Sequence, residues 1–179
     1  MKPDDFRKMW RGLAFAVAAM TFSACAMHRP ALTVSDEAEL LAEERGRLTE
    51  ETDPIERTKS YITVCGILLD FASSFAHDGN LDGTDALLAQ YDTSIQNATN
   101  TMMQSDRNPQ RDPAGFQDLE VALKSQIRLL KRLRKNVPSK RRQPVEISLV
   151  IATSARERIR KLLFPSDHSQ VLANSLFSR

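Results

Sequence analysis

Residue types that bind metal ions occur close together between positions 78 and 83. The segment Asp78-Gly-Asn-Leu-Asp-Gly83 matches the first half of a calcium-binding loop. Calcium takes six or more oxygen ligands, and a Glu at the twelfth position of such a loop normally supplies two of them. That position is Ala89 here. We therefore predict no metal site and interpret the segment as a helix–helix turn, in which Gly79 ends one helix and Asp82 or Thr84 begins the next.

Nucleophiles and general bases are present in the sequence, but their spacing is not typical of a catalytic site. Ser166-Asp167-His168 has the residue types of a hydrolase triad, whose members normally come together from distant segments of a chain. His28, His77 and His168 lie on three separate segments without metal-ligand spacing. Cys65 lies on an apolar helical stripe, which indicates a buried thiol. The sequence predicts neither an enzyme nor a cofactor.

A dense basic cluster, with seven cationic residues within twelve positions, is a candidate binding site for an anion. Such a cluster suits nucleic acid, acidic lipid head groups or a polyanionic polymer of the cell envelope. No aromatic residue interleaves the cluster for base stacking, so nucleic acid is not a predicted partner. The alternative is a set of cations that stabilises a helix C-terminus and a solvated loop after it. The seven residues are Lys131, Arg132, Arg134, Lys135, Lys140, Arg141 and Arg142.

Two polar residues, Gln126 and Arg156, interrupt apolar stripes of predicted helices. Polar residues at such positions usually fix the register of packed helices. The alternative is that they line a small-ligand pocket inside a helical bundle, together with Tyr61 and Tyr91.

The first 24 residues have the composition of a secretory signal. Basic residues precede an apolar run over 13–22, which is too short for a helix that spans a bilayer. Phe22-Ser-Ala-Cys25 resembles a bacterial lipobox, in which Cys25 becomes the lipidated first residue. The alternative is an Ala24-Cys25-Ala26 cleavage site that releases a soluble protein. We expect export to the periplasm or cell envelope, with Cys25 as a lipid anchor in the membrane.

Beyond this segment, apolar residues recur every three or four positions, which predicts helices, and no strand pattern competes. Asp53-Pro-Ile-Glu56 predicts a helix start in which Asp53 accepts backbone N–H groups and Glu56 completes a capping box. The last four helices are similar in length and have short connections. We predict an all-α fold, an antiparallel up-down four-helix bundle preceded by a shorter charged helix. The predicted helices span 36–51, 54–77, 84–104, 114–136 and 144–164.

These boundaries divide the chain into four segments with different predicted roles. Residues 1–24 are the signal peptide, 25–52 a spacer with the first helix, 53–165 the bundle, and 166–179 a flexible tail.

Charge is distributed unevenly along the mature chain. The full sequence has a formal net charge of +2, but residues 25–122 hold 7 basic and 18 acidic residues, whereas residues 123–179 hold 14 and 3. The two parts therefore carry −11 and +11. Attraction between them favours docking within one molecule. The alternative is a bipolar molecule that stacks on itself or on a partner.

Several segments of the sequence resemble a family of predicted secreted bacterial proteins of uncharacterised function. The similarity covers about residues 40–165 and is carried by residues 47–59, Ile67-Leu-Leu-Asp-Phe-Ala72, Thr101-Met-Met and Pro113-Ala-Gly-Phe-Gln-Asp-Leu-Glu120. The resemblance implies an exported helical domain and no particular activity or site. Together with the signal, it predicts a cell-envelope lipoprotein with a non-enzymatic binding or structural role, whose partner is an envelope protein or a polyanionic envelope polymer. The alternative is a periplasmic carrier or sensor of a small ligand held within the bundle.

Overall fold

The structure is a computed structural model, which describes residues 34–165. Within that range it contains helices and no strand, so the all-α prediction is confirmed. The signal peptide, Cys25 and the tail of residues 166–179 lie outside the described residues. The helices are α1 (Val34–Glu50), α2 (Pro54–His77), α3 (Leu81–Gln104), α4 (Ala114–Asn136) and α5 (Gln143–Leu163), with a short 3-10 helix at Ser139–Arg141.

Asp53 caps the N-terminus of α2 as predicted, but the predicted reciprocal contact from Glu56 does not form. The carboxylate of Asp53 accepts the backbone N–H groups of Ile55 at 2.7 Å and Glu56 at 3.1 Å. The backbone N–H of Asp53, which Glu56 was predicted to bind, donates instead to the carboxylate of Glu51 at 2.8 Å. Glu56 instead pairs with Lys59 at 2.7 Å. The N-terminus of α2 is therefore held by one cap and not by a capping box.

The turn between α2 and α3 contains Gly79, which has a positive φ of 77° as predicted for a left-handed helix cap. The residue that starts α3 differs from the prediction. Asn80, and not Asp82 or Thr84, is the N-cap, since its side-chain oxygen accepts the backbone N–H of Gly83 at 3.0 Å. As a result, α3 begins at Leu81, three residues earlier than predicted.

The described helices share one apolar core. The most extensive contacts join α2 with α3, α4 with α5, α2 with α4, and α3 with α5. Contacts between α3 and α4 are fewer, and α1 packs on α2. Leu41 and Leu48 of α1 pack against the edge of the core and are only partly buried. No helix in this part of the chain is long and apolar enough to cross a membrane. The largest fully buried side chains include Leu68, Leu88, Tyr91, Ile95, Phe116, Leu119, Leu123, Leu130 and Ile159.

Candidate functional site

One side of α4 is exposed and strongly basic. Its residues, which we call the basic face, follow one another at helical spacing, so they lie on the same side of the helix. The opposite side of α4 is buried. Because an α-helix rises 1.5 Å per residue, the basic face is about 17 Å long. It consists of Lys124, Arg128, Lys131, Arg132 and Lys135, and all five are exposed.

The charges of the basic face are not neutralised within the described part of the chain. None of the ion pairs between residues 34 and 165 involves Lys124, Arg128, Lys131, Arg132 or Lys135. None of these side chains donates a hydrogen bond to another described residue either. The basic face therefore presents five solvated cations along one side of α4.

The structure divides the seven predicted polyanion-binding residues into two groups. Lys131, Arg132 and Lys135 belong to the basic face, and Arg134 and Lys140 are exposed beside it and beyond it. The other two, Arg141 and Arg142, are engaged in intramolecular contacts. For the five exposed residues, polyanion binding stays a prediction.

Arg141 lies in the segment between α4 and α5 and contacts the first turns of α3. Its Nη2 atom donates to Asp82 at 2.5 Å and to Asp85 at 2.9 Å. The hydrogen bond to Asp82 and the charge of Asp85 raise the pKa of Arg141 above its usual value. Arg142 donates from Nε to the backbone carbonyl of Val137 at 3.1 Å. Both arginines therefore act in holding the connection in place.

Two residues of the basic face, Lys124 and Arg128, were missed by the sequence reasoning. They stand outside the dense run of cations, and composition alone does not connect them to it. Helical register does connect them, because Lys124, Arg128, Lys131 and Lys135 are separated by four, three and four residues. The signal was present in the predicted helix of residues 114–136.

The structure brings together two of the four residues predicted to line a ligand pocket. The Tyr91 hydroxyl donates to Oε1 of Gln126 at 3.2 Å, and both side chains are buried. Burial raises the pKa of Tyr91 well above its usual value. This hydrogen bond satisfies the Tyr91 hydroxyl without a ligand. It joins α3 to α4, as expected for a pair that fixes helix register.

The remaining two predicted pocket residues have other surroundings. Arg156 donates from Nε at 2.8 Å and from Nη2 at 2.6 Å to one oxygen of Glu120. Tyr61 is half-buried and packs against the edge of the core. Cys65, predicted as a buried thiol, has no exposed surface, and its burial raises its pKa far above the usual value. The thiol is therefore not poised as a nucleophile.

Residues of the calcium-like segment serve the fold. Asn80 caps α3, and Asp82 pairs with Arg141. No cluster of three or more His, Cys, Asp or Glu with metal-site geometry occurs among the described residues.

Tyr61, Tyr91, Gln126 and Arg156 line neither of two clefts on the surface of residues 34–165. A cleft of about 340 Å³ lies between α3 and α5, and one of about 620 Å³ lies between α2 and α4. The first is lined by Gln96, Thr99, Asn100, Val150, Ile151, Ser154, Ala155 and Arg158. The second is lined by Lys59, Ile62, Thr63, Gln117, Asp118, Val121 and Ala122.

Comparison with protein-family models, with curated proteins and with solved structures finds no match to this chain.

Proposed function

We propose that this chain is an exported lipoprotein of the bacterial cell envelope, anchored at Cys25, with a non-enzymatic binding role. Its helical domain binds a phosphate- or carboxylate-bearing envelope polymer through the basic face of α4. The observation that carries the proposal is the row of exposed cations without a carboxylate partner among the described residues. Such a row suits an extended polyanion, because several weak surface contacts act together along one molecule.

Export and anchoring rest on the sequence of the first 25 residues and on the resemblance to predicted secreted proteins. A lipid anchor would keep the basic face close to a membrane and to the polymers around it. Replacing Cys25 with Ser should move the protein from the membrane fraction of the producing cell to the soluble fraction. Persistence of the variant in the membrane fraction would refute the anchor.

We further propose that α2, α3, α4 and α5 form an antiparallel up-down four-helix bundle. Contacts between α3 and α4 support opposite directions: Tyr91 meets Gln126, and Met102 lies against Gly115. The earlier of the two α3 residues contacts the later α4 residue, and the later α3 residue contacts the earlier one. The exposed side of α4 then faces away from the bundle, where a polymer can reach it.

Contacts between α3 and α5 support the same topology. Asp92 lies near Ser148, and Arg158 contacts Met103, so later residues of one helix meet later residues of the other. In an up-down bundle each helix runs opposite to the one before it in the sequence, so α3 and α5 run in the same direction. These contacts agree with that direction.

The test of polymer binding compares two variants of equal net charge. Lys124, Arg128 and Lys131 are changed to Gln in one, and the exposed residues Arg111, Arg160 and Lys161 in the other. Binding of the Cys25→Ser mature chain to linear polyphosphate and to polygalacturonate is measured at low salt. We expect at least a tenfold loss in the first variant and a smaller loss in the second, because local charge density governs polyanion affinity. Equal losses would refute a dedicated site on α4.

The alternative, a small-ligand carrier that binds inside the bundle, receives less support. A ligand among the predicted lining residues would have to displace the hydrogen bond between Tyr91 and Gln126. It would also have to compete with Glu120 for Arg156.

A further inference from the structure

The cleft between α3 and α5 has the composition of a small-ligand site, and it is separate from the basic face. Its volume of about 340 Å³ is at the lower end of the range for small-molecule pockets. Polar side chains from both helices converge on it, and apolar residues form one wall. A compact ligand with a polar and an apolar part would match both surfaces.

Arg158 supplies the cation of this cleft. Its guanidinium Nη2 lies 2.9 Å from the sulfur of Met103, which is only a weak hydrogen-bond acceptor. Arg158 forms no ion pair with any residue between 34 and 165. Because a guanidinium has five N–H donors in a planar fork, it can still bind a carboxylate through two parallel hydrogen bonds.

Three other polar side chains that line the cleft with Arg158 have no hydrogen-bond partner among the described residues. Gln96 and Asn100 lie one turn apart on α3, and Ser154 lies across the cleft on α5. All three side chains are exposed, and none is hydrogen-bonded to a described residue. Thr99 differs, because its hydroxyl donates to the carbonyl of Ile95 at 2.8 Å. Two amides and a hydroxyl can therefore orient a ligand whose carboxylate is held by Arg158.

The apolar part of the cleft is provided by α5. Val150, Ile151 and Ala155 line it, and Val150 is 65% exposed. A short aliphatic group on the ligand would cover Val150 and remove apolar surface from water.

The cleft between α2 and α4 lacks these features. Its cation, Lys59, is paired with Glu56 at 2.7 Å. Asp118 in the same cleft would repel a carboxylate. Of these two clefts, the one between α3 and α5 is therefore the better match for a carboxylate.

We propose that the cleft between α3 and α5 binds a small carboxylate with a short aliphatic side chain, held by Arg158, Asn100 and Gln96. This site does not depend on the polymer-binding role of α4, since the two sites share no residue.

The test uses N-acetyl-leucine as the probe and its uncharged amide, N-acetyl-leucinamide, as the matched control. Each is titrated into the ¹⁵N-labelled Cys25→Ser mature chain, and the side-chain amide signals of Gln96 and Asn100 are followed by NMR. We expect saturable shifts with the carboxylate and none with the amide. Absence of saturable shifts with N-acetyl-leucine, or equal shifts with both probes, would overturn the proposal.

Variants at Arg158 test the role of the guanidinium. Arg158→Gln should weaken binding of N-acetyl-leucine about tenfold or more, because the charge-assisted hydrogen bonds from the guanidinium to the carboxylate are lost. Arg158→Lys should keep part of the affinity, since it retains the charge but not the planar fork. Arg160→Gln, an exposed change on the same helix outside the cleft, should leave binding unchanged. Equal affinity in wild type and Arg158→Gln, with unchanged backbone spectra, would contradict the assignment.

Discussion

The basic residues between positions 123 and 165 fall into two regions that differ in what they contact. Arg141 and Arg156 reach carboxylates of the acidic part of the chain: Arg141 contacts Asp82 and Asp85, and Arg156 contacts Glu120. The basic face of α4 has no such partner among the described residues. Opposite charge therefore stabilises docking within the molecule at two places, as the sequence predicts. It does not account for the excess positive charge of α4, and this difference is the reason for the proposal that the basic face binds an external anion.

The largest effect on stability is expected on the buried side of α4, directly behind the basic face. Leu130 has no exposed surface, whereas its neighbour Lys131 is exposed. Leu130→Ala should lower the free energy of unfolding by about 2–5 kcal/mol, because it leaves a cavity in the core. Lys131→Gln should change it by less than about 0.5 kcal/mol. Urea denaturation of both variants checks this, and a large loss in Lys131→Gln would mean that the basic face has a structural role.

The pair of Arg156 and Glu120 should give the next largest effect. Their side chains are 27% and 17% exposed, so the pair is partly shielded from water. Arg156→Gln should cost about 1–2 kcal/mol, since it leaves a largely buried carboxylate without its charged donor. A double-mutant cycle with Glu120→Gln measures the coupling. Arg160→Gln, at an exposed site without an ion pair among residues 34–165, is the control, and an equal loss there would contradict a specific contact.

The stability of the fold should depend on pH through Asp92, which lies on the side of α3 that packs toward α5. Burial raises the pKa of Asp92, and the nearby hydroxyl of Ser148 lowers it in part. The Oδ1 atom is buried without a hydrogen-bond partner among the described residues. Because the folded pKa is raised, the folded state binds the proton more tightly than the unfolded state does. The resulting stabilisation is full below the ordinary Asp value of about 3.9 and is lost as pH rises through the folded pKa.

Asp92→Asn removes this ionisation and tests the sign of the effect. The variant should be more stable than wild type at pH 7, and the difference should vanish near pH 3. Thermal unfolding at both pH values measures it. A variant that is less stable at pH 7 would show that the ionised carboxylate stabilises the fold.

Arg141→Gln should give the smallest change in stability, because its ion pairs with Asp82 and Asp85 lie at the surface, where Arg141 is 42% exposed. We expect a slightly lower melting temperature at low salt and little difference at high salt, since salt screens exposed charges. Binding to polyphosphate should fall less than in Lys131→Gln, which removes the same charge from the basic face. A greater fall in Arg141→Gln would move the binding surface to the α4–α5 connection.

The helices were predictable from the sequence because their signals are local. The bounds predicted for α4 agree with the structure, and the cap of α2 at Asp53 needed only the residues around it. The start of α3 was missed because Asn80 competes with Asp82 and Thr84 for the cap, and the sequence allows all three. In the structure Gly79 has a positive φ, and Asn80, the residue after it, accepts the backbone N–H of Gly83.

Contacts over long sequence distances were less predictable. A sum of charges cannot separate Arg141, which lies next to two aspartates in the fold, from Lys140, which is exposed. Gln126 was considered for a register or a ligand role, and its hydrogen bond to Tyr91, 35 residues away, favours register. The unused groups of the α3–α5 cleft were not anticipated, since Asn100 and Arg158 are ordinary exposed residues in the sequence.

The most direct test of the central claim is the salt dependence of polyphosphate binding by the mature Cys25→Ser chain. The slope of log Kd against log salt reports how many cations contact the polymer. Changing Lys124, Arg128 and Lys131 to Gln should reduce that slope by about two to three, because each lost phosphate contact removes about one. The matched variant at Arg111, Arg160 and Lys161 should keep the slope of the wild type. Equal slopes in all three proteins would contradict a polyanion-binding face on α4.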